Sequence, residues 1–525
     1  MRCLLAILAA LLAALATADV TYQLTPNITT GRLGVAVSFE TTEAAVDIQL
    51  PRWAPGSYRL FNAGISDVRA RRDSTELPVT KVDDNTWRIQ AGTAGAVTFD
   101  YTAPIRLTGM ALHVAGPQTY VYLVGRKEEE CKLRVALPDG WRAINGLDEN
   151  GAGWTAPDYD VLADNPITMG VYLLDTYTVR NRPHYIVLYG VGKENVDRPA
   201  LIKYCEAITK AQTAFFDDIP YNKYVWHFNV NNGLDGAGGL EHLSSTSISL
   251  AAGVGPSAVR VLSHEFFHLW NVKRIRSKPL GPFDYQSLPK TGALWWLEGV
   301  TDYYASLLVH RYGILPPSEI NADIIDNFTS YDRHAQKSNI NPYEASMRVG
   351  ETNNGRGNSN GYLMSYYTMG WIAGLCLDIE IRRLSNNKHS LDDVMRALYA
   401  MSGNNKPGFE EDEIRKQCIR FGGSEMGPFY DRVIKSNGAI PVEESLAKIG
   451  LRIEPFDERY KDPGFEFTGS DGAIQIRRDA GELKRGDRIK RIGSVYLGDL
   501  NPIQAAKQAQ AALDAAPAGV PIALD

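Results

Sequence analysis

The feature that most constrains the fold of this chain is an H-E-x-x-H pattern at residues 264–268. Residues four positions apart share one face of an α-helix, so His264 and His268 can each direct one imidazole nitrogen at a single metal ion. Glu265 projects beside them, where its carboxylate can contact a water on the metal instead of the metal itself. The pattern therefore predicts a helix built around a metal site, and two ordinary histidines on a buried helix are the alternative.

A catalytic zinc ion needs a third protein ligand and an open position for water. Downstream of the motif, residues 294–304 form an apolar and aromatic segment that is interrupted by acids, and Glu298 is one of these acids. The separation leaves room for the first helix to end and for a second helix to return alongside it. Burying an unpaired carboxylate costs several kcal/mol. We therefore expect Glu298 to be the third ligand, and a salt bridge to Arg274 or Arg276 is the alternative.

Asp302 lies one helical turn beyond Glu298 and therefore on the same face. Metal-bound histidines usually donate their second ring N–H to a carboxylate or a carbonyl, which fixes the tautomer. We assign Asp302 this supporting role, with a simple acid on the helix surface as the alternative. Two imidazoles and one carboxylate favour a single Zn²⁺ as the cofactor, although the sequence does not exclude another divalent ion.

The rest of the chain predicts a multidomain α+β protein. Residues 19–178 contain short β-branched or aromatic segments separated by Gly, Pro, Asn and Asp, which is typical of a β-sandwich-like domain. Residues 179–440 begin with strands and a helix and then become helical, so this domain is α/β first and helical later. Residues 441–525 return to short strands and glycine turns, with one Ala-rich helix at residues 502–515.

Residues 1–18 predict a signal peptide. They contain Arg2, an unbroken apolar run from Leu4 to Leu15, and a small-x-small sequence at residues 16–18. We therefore expect an exported protein, periplasmic or extracellular, without an integral membrane segment after signal cleavage. A membrane anchor is the alternative, but the apolar run is short for a spanning helix.

Charge and cysteine content restrict the classes of partner and cofactor. A formal net charge of −6 gives no reason to expect nucleic acid as a partner. Four of the five cysteines follow the predicted signal peptide, and none of them lies in a C-x-x-C pair. Thiolate zinc sites are therefore not expected, whereas one or two disulfides are compatible with an oxidising compartment.

Several segments together resemble the glycyl aminopeptidase family of thermolysin-like zinc metallopeptidases, in which a glutamate is the third ligand. They are HEFFHLWNVKRIR at 264–276, LEGVTDYY at 297–304 and GGLEH at 238–242, with PRWAPGSYRL at 51–60 similar to that family's N-terminal β domain. The resemblance implies a thermolysin-like catalytic domain over residues 179–440. A short glycine-containing segment from Gly486 to Ile492 is similar to the PDZ domain that commonly follows. It implies a PDZ-like domain over residues 441–525 with a peptide or protein ligand, although a clear carboxylate-binding loop and a final strand are missing.

The resemblance also implies a role for the GGLEH segment, which matches in position the amine-binding motif of related zinc aminopeptidases. Glu241 is expected to pair with the free α-ammonium of a peptide substrate, and His242 to line the same site. The glycines Gly238 and Gly239 let a backbone edge approach an extended substrate closely. The alternative is a loop acid that follows a glycine turn.

A tetrahedral intermediate needs a hydrogen-bond donor in addition to zinc. Residues 367–370 have a Tyr-x-x-Gly pattern that resembles the transition-state tyrosine of the zinc aminopeptidases, and the pattern selects Tyr367 over Tyr366. The alternative is a tyrosine that only packs, since the chain contains 26 tyrosines.

These roles predict a zinc aminopeptidase that acts on peptides. Glu265 would serve as the base for the attacking water, and Tyr367 would stabilise the oxyanion together with zinc. Glu241 would hold the substrate N-terminus and set the register to one residue. The resemblance implies a preference for small N-terminal residues, Gly or Ala. Two alternatives stay open: an endopeptidase with the same zinc chemistry, in which Glu241 binds no amine, and a non-catalytic polypeptide-binding protein with a structural zinc.

Overall fold

The computed structural model describes residues 19–525 except residues 63, 152, 232–236, 252, 351–363, 404–406, 455–466, 471, 478–481, 499, 501 and 516–522. The predicted signal peptide at residues 1–18 lies outside the described residues. The chain divides into two compact units, Met1–Leu451 and Arg452–Asp525. None of the helices in the described ranges combines the length and the apolar character that crossing a membrane requires.

The first unit begins with a β region, residues 20–170, whose strands form one eight-stranded sheet and two four-stranded sheets. The strands are β1 (Val20–Asn27), β2 (Arg32–Thr41), β3 (Ala45–Gln49), β4 (Ser66–Arg72), β5 (Thr75–Leu77), β6 (Val79–Lys81), β7 (Thr86–Gln90), β8 (Gly95–Pro104), β9 (Leu107–Thr108), β10 (Ala111–Val114), β11 (Tyr122–Leu123), β12 (Cys131–Val135), β13 (Arg142–Ile144), β14 (Asp148–Asn150), β15 (Gly153–Ala156) and β16 (Ile167–Gly170). The sheet orders are β14-β15-β12-β1-β2-β8-β4-β5, β13-β16-β10-β9 and β11-β3-β7-β6.

Alternating burial explains why this part of the sequence forms sheets. Along β2 every second side chain from Leu33 to Phe39 is buried, whereas the residues between them are less buried. A period of two places all the apolar residues of a strand on one face of its sheet. The expected N-terminal β-rich domain is confirmed.

Residues 173–451 include the domain that the resemblance implies to be catalytic and are called the catalytic region below. This region opens with a five-stranded mixed sheet in the order β17-β18-β19-β21-β20. Its strands are β17 (Leu173–Val179), β18 (Arg182–Gly190), β19 (Tyr224–Val230), β20 (Ala237–Glu241) and β21 (Ser245–Leu250). The strands β18, β19 and β21 are parallel, whereas β20 runs antiparallel to β21 at the edge of the sheet. The GGLEH segment therefore lies at a sheet edge.

Helices make up most of the remaining catalytic region, as expected. One α-helix lies in the β region, at Tyr159–Ala163, and those of the catalytic region are Arg198–Phe216, Pro256–Phe267, Thr301–Arg311, Ile320–Asp332, Pro342–Met347, Tyr366–Leu384, Leu391–Ser402, Glu413–Gly422, Met426–Ile434 and Val442–Ala447. A π-helix spans Trp295–Val300. Short 3₁₀-helices lie at Gly116–Gln118, Lys193–Asn195, Lys278–Leu280 and Pro317–Glu319.

The loop after β3 joins the β region to the catalytic region. The Arg52 backbone N–H donates to the Tyr285 carbonyl at 2.8 Å, and the Trp53 indole N–H donates to the Asp284 carbonyl at 2.7 Å. Tyr285 is buried in the hydrophobic core of the β region. These contacts fix the following residues of the loop, 55–59, against the catalytic region.

The second unit has its own small core. Its strands are β22 (Phe467–Ser470), β23 (Ala473–Ile476), β24 (Arg488–Ile489), β25 (Arg491–Ile492) and β26 (Val495–Tyr496), and its helix is Pro502–Ala515. The first three strands form one sheet and the last two form another. Alanines of the helix, Ala505 and Ala509, pack with Ile474 and Ile489 in this core. The predicted Ala-rich helix at 502–515 is confirmed.

All four cysteines in the described residues are free, buried thiols. Two of them, Cys131 and Cys418, have thiol pKa values that burial raises well above the usual range. Inert, buried thiols behave as small apolar core residues. The disulfides that the sequence leaves open are therefore not formed between these residues.

Two histidines between the β region and the catalytic sheet, the partly buried His113 and the fully buried His227, predict a loss of stability in acid. Thr168 Oγ1 lies 2.9 Å from His113 Nδ1 and 2.8 Å from His227 Nδ1, and His113 Nε2 lies 2.9 Å from Ser247 Oγ. Burial lowers the pKa of His113 to about 3 and the pKa of His227 well below its usual range. Both histidines therefore stay neutral when folded, while the unfolded chain takes up protons below pH ~6.5.

Because the unfolded state binds more protons below pH ~6.5, the free energy of unfolding should fall as the pH drops from there towards 3. Each such histidine contributes a slope of at most about 1.4 kcal/mol per pH unit. Urea unfolding at pH 7, 6, 5 and 4 measures this dependence in wild type and His113→Gln. The variant keeps a donor and an acceptor but cannot be protonated, so its slope should be smaller. An equal slope in both proteins would contradict the prediction.

Candidate metal centre and active site

The motif helix, Pro256–Phe267, brings the two motif histidines together at its C-terminal end. Their Nε2 atoms face each other at 2.8 Å. Glu298 Oε2 lies 3.3 Å from His268 Nε2 and 3.8 Å from His264 Nε2. Two imidazole nitrogens and one carboxylate oxygen thus converge on one point, which is the donor set of a catalytic zinc site.

The environment of Glu298 fits a bound cation. Its side chain is 1% exposed, and among the described residues its Oε1 atom has no hydrogen-bond partner. Arg274, one alternative partner, instead donates to the Leu269 and Pro220 carbonyls at 2.6 Å each. A buried carboxylate whose neighbours are imidazoles, with no lysine or arginine paired to it among the described residues, is costly unless a cation compensates its charge. These residues therefore fit Zn²⁺.

A close crossing of two helices places Glu298 and Tyr367. Glu298 lies in the π-helix, Trp295–Val300, which continues directly into the helix Thr301–Arg311. A Cβ atom at Gly299 would lie 2.5 Å from Gly370 Cα, and a Cβ at Gly370 would lie 2.0 Å from the Trp295 carbonyl oxygen. Only glycines permit this approach, so the glycine of the Tyr-x-x-Gly pattern has a packing function. Single-turn π-helices often occur at functional sites.

The second nitrogen of each motif histidine is also held. Asp302 Oδ1 lies 2.7 Å from His264 Nδ1, and the Asn271 carbonyl lies 2.7 Å from His268 Nδ1. Both contacts leave Nε2 directed at the centre, as expected for metal-binding histidines. The Asn271 side chain additionally donates to the Trp296 carbonyl and Thr301 Oγ1, at 2.9 Å each. Asn271 thereby ties the motif segment to the segment that carries Glu298.

Glu265 lies between the motif helix and the edge strand β20. A Cβ atom at Gly239 would lie 2.4 Å from Glu265 Cγ, whereas a Cβ at Gly238 would meet no atom within 4 Å. Gly238 therefore leaves the strand edge open, and Gly239 makes room for the Glu265 side chain. Burial raises the pKa of Glu265 to about 8; the His264 imidazole opposes this shift, and the Glu241 carboxylate adds to it. This pKa belongs to the metal-free site, and a cation bound beside the carboxylate would lower it.

Glu241 is buried beside the centre and has a basic partner. It lies close to Glu265 and His268: one carboxylate oxygen of each glutamate and one ring nitrogen of His268 are all within 4.8 Å of one another. Lys273 Nζ lies 3.6 Å from Glu241 Oε1. Burial would raise the pKa of Glu241, but the Lys273 ammonium and the His268 imidazole hold it below its usual value. His242 is also buried, and it contacts Asp164 Oδ1 at 3.3 Å and Ser247 Oγ at 3.2 Å.

Two tyrosines reach the centre from opposite parts of the fold. A cavity of about 980 Å³ is lined by His264, Glu265, Tyr367 and, from the β region, Tyr58. Burial raises the pKa values of Tyr58 and Tyr367 well above the usual range, and the negative charge of the Glu298 carboxylate is the second cause. Both hydroxyls are therefore protonated at neutral pH and can act as hydrogen-bond donors.

The match to protein families identifies the two parts of the first unit. Residues 257–373 match the M61 glycyl aminopeptidase, and residues 21–171 match the Peptidase M61 N-terminal domain. The chain carries M61 glycyl aminopeptidase domains. It is a zinc metallopeptidase, as the sequence predicts. No curated protein sequence matches the chain.

Solved structures share the fold of this chain. The aminopeptidase N family protein from Idiomarina loihiensis has a TM-score of 0.80 at 21% identity, over 96% of this chain and 93% of its own. Yeast LTA4 hydrolase in complex with bestatin has a TM-score of 0.53 at 11% identity, over 81% of this chain and 68% of its own. The M1 zinc metallopeptidase from Deinococcus radiodurans has a TM-score of 0.50 at 12% identity, over 81% and 94%. At these identities the likeness concerns the fold.

Some residues of the candidate site have no role in the sequence-based prediction. They are Tyr58 and Gly56 in the PRWAPGSYRL segment, and Asn271 and Lys273 in the HEFFHLWNVKRIR segment. A Cβ atom at Gly56 would lie 2.4 Å from Glu241 Oε2, so the β region touches the catalytic region at this glycine. The only signal for these residues was their position inside the family-like segments.

Proposed function

We propose that this zinc metallopeptidase removes one N-terminal residue at a time from peptides and holds one Zn²⁺ with His264, His268 and Glu298. The position of Glu241 carries the proposal, since its buried carboxylate lies beside Glu265 and His268. A carboxylate at this distance from the reacting centre can pair with the α-ammonium of a substrate. An endopeptidase would have no use for a buried charge there.

The side chains of the site divide the chemistry among them. When bound, Zn²⁺ supplies a Lewis acid that polarises the scissile carbonyl and activates water. Glu265 takes the proton from the attacking water and passes it to the leaving amine. The Tyr367 hydroxyl donates a hydrogen bond to the developing oxyanion. The open edge of β20 at Gly238 and Gly239 accepts an extended peptide, as sheet edges do elsewhere.

Asp302 and His242 would support these groups without taking part in the chemistry. Asp302 would orient His264 through its Nδ1 atom, where the two side chains lie 2.7 Å apart. His242 would bind Asp164 next to the substrate end of the site, where the two side chains lie 3.3 Å apart. Such supporting partners typically change metal affinity or activity by about 10- to 100-fold.

A pair of peptides that differ only at the N-terminus tests the proposal. One peptide has a free N-terminal Ala and the other is N-acetylated, and both are given to zinc-loaded wild type and to Glu241→Gln. Wild type should cut only the free peptide, one residue at a time. The variant should have a KM for the free peptide that is raised by about 10-fold or more, because a buried charge-assisted contact is worth 1.5–3 kcal/mol.

The alternatives give different products from the same experiment. Internal cleavage of both peptides by wild type would indicate the endopeptidase, with the same zinc chemistry and no amine binding at Glu241. Absence of cleavage by zinc-loaded wild type would favour a polypeptide-binding protein with a structural zinc. In the folded wild type, Glu265 next to the metal site favours catalysis over that second alternative.

The proposal extends to features outside the metal site. The match to a glycyl aminopeptidase family supports a preference for small N-terminal residues, Gly or Ala. The antiparallel strands and the helix Pro502–Ala515 of the second unit support a PDZ-like domain within residues 441–525, with a peptide or protein ligand. The composition of residues 1–18 supports export to the periplasm or the cell exterior. The proposed domains are then 19–178, 179–440 and 441–525.

A further inference from the structure

Lys273 is a buried cation beside the proposed amine-binding residue, and the mechanism above does not use it. Its side chain is 5% exposed, and its Nζ atom lies 2.8 Å from Asp164 Oδ1 and 3.6 Å from Glu241 Oε1. Glu241 is 4% exposed at its side chain. A buried ammonium persists only when its charge is paired, and both charge partners of Lys273 are carboxylates.

The backbone that presents Lys273 is strained. The motif helix ends at His268, and the Lys273 backbone N–H donates to the His268 carbonyl at 3.1 Å. The preceding residue, Val272, has φ of 128°, in a region that β-branched side chains rarely adopt. Strain of this kind persists only when the surrounding structure enforces it, and it clusters at functional sites. The turn thus places Lys273 beside Glu241 at an energetic cost.

Asp164 fixes the other side of Lys273. It directly follows the β-region helix, Tyr159–Ala163, and its Oδ2 atom accepts a hydrogen bond at 2.9 Å from the Leu243 backbone N–H. Leu243 comes two residues after Glu241 in the chain. The Asp164 carboxylate of the β region therefore holds both the Lys273 ammonium and the Leu243 backbone, which flank Glu241.

At 3.6 Å, the Lys273 ammonium compensates the charge of Glu241 without a hydrogen bond, and among the described residues Glu241 Oε1 has no hydrogen-bond partner. Although it is buried, that oxygen offers an unused acceptor to a ligand group that reaches it. We propose that Lys273, anchored by Asp164, is a positioning residue that holds the Glu241 carboxylate in place for the α-ammonium of the substrate. The inference rests on the proposed role of Glu241 as the amine-binding residue.

Steady-state kinetics of Lys273→Met on the free N-terminal peptide tests this role. The KM should rise about 10-fold, because the loss of a typical charge-assisted contact weakens substrate binding by about that factor. The kcat should change little, since the contact is made equally in the ground and transition states. Zinc content should equal that of wild type. Lys273→Arg keeps the cation and should restore part of the affinity.

A matched control separates positioning from a general loss of structure. Lys127 is also a mostly buried lysine between the two regions: its Nζ atom lies 3.3 Å from Asp160 Oδ1 and donates to the Phe283 carbonyl at 2.5 Å, and it does not contact Glu241. Lys127→Met should leave KM unchanged. An equal rise of KM in both methionine variants would show that loss of the inter-region contact is the cause, and would overturn the inference.

A double-mutant cycle decides whether Lys273 acts through Glu241. In the Glu241→Gln background, Lys273→Met should cause no further rise of KM for the free peptide. A further rise of similar size would mean that Lys273 acts on another group, which would overturn the inference. If Lys273→Met does not fold, Lys273→Met/Asp164→Asn removes both charges of the pair and takes its place in the cycle.

Wild-type data distinguish failure of this inference from failure of the proposed function. If wild type cuts the N-acetylated peptide as readily as the free one, Glu241 binds no amine and both proposals fall. If wild type discriminates between the peptides and Lys273→Met has wild-type KM and kcat, the proposed function stands and only the inference is wrong.

Discussion

Glu265→Gln is expected to lower kcat on a free N-terminal peptide by about 10³-fold, within the range that general acid–base groups contribute. Glutamine keeps the shape of the side chain where it packs against Gly239, but it cannot take the proton of the attacking water. In the metal-free protein Glu265 has a pKa of about 8, so near pH 7 the protonated carboxyl predominates and resembles glutamine. The thermal midpoint of the metal-free protein should therefore be the same in wild type and in Glu265→Gln.

The measurement combines single-turnover kinetics with zinc analysis of the same samples. Zinc content should stay at the wild-type value, because Glu265 is not one of the three converging ligand groups, His264, His268 and Glu298. A variant that keeps more than a tenth of the wild-type kcat with full zinc would show that another group serves as the base. Loss of zinc in the variant would instead place Glu265 among the ligands.

The metal site could be predicted from the sequence because its main constraint is local. A helix puts His264 and His268 on one face whatever the rest of the chain does. The assignment of Glu298 needed only a second helix with a buried acid, and the structure brings its carboxylate to 3.3 Å from His268 Nε2. The β-rich start of the chain followed from short β-branched or aromatic segments separated by Gly, Pro, Asn and Asp, which is again local information.

The unpredicted contacts depend on packing between distant segments. Asp164 and Lys273 are 109 positions apart, and no local pattern links them. Tyr58 reaches the cavity only because the loop after β3 is fixed against the catalytic region by Trp53. The π-helix at Trp295–Val300 follows from the close crossing at Gly299, which a helical period of apolar residues does not reveal.

The residues of the site also differ in whether their surroundings come from one region of the first unit or from both. His264, His268 and Glu298 form a compact group whose proposed role as metal ligands rests on donor type and distance. Glu241, in contrast, owes its environment to both regions of the first unit, since Gly56 and Asp164 come from the β region. Recognition of the substrate N-terminus would then depend on how the two regions meet, whereas the metal site would not.

Removal of Glu298 should produce the other large effect, because it takes away one of the three proposed ligands. Glu298→Gln is expected to lose zinc on dialysis and to lower activity by about 10³-fold or more, since metal-ion catalysis supplies several kcal/mol. Zinc per chain is measured by atomic absorption, and Glu344→Gln, at a half-exposed acid, is the matched control. Zinc that binds only the folded protein stabilises it by mass action.

The thermal midpoint gives a second readout of the same variant that does not depend on activity. A chelator should lower the midpoint of wild type and of Glu344→Gln, but it should leave Glu298→Gln almost unchanged, because that variant holds little zinc to lose. If Glu298→Gln instead keeps one zinc per chain and responds to the chelator like wild type, Glu298 is not a ligand. The buried group formed by Glu241, Glu265 and His268 would then be the next metal site to test.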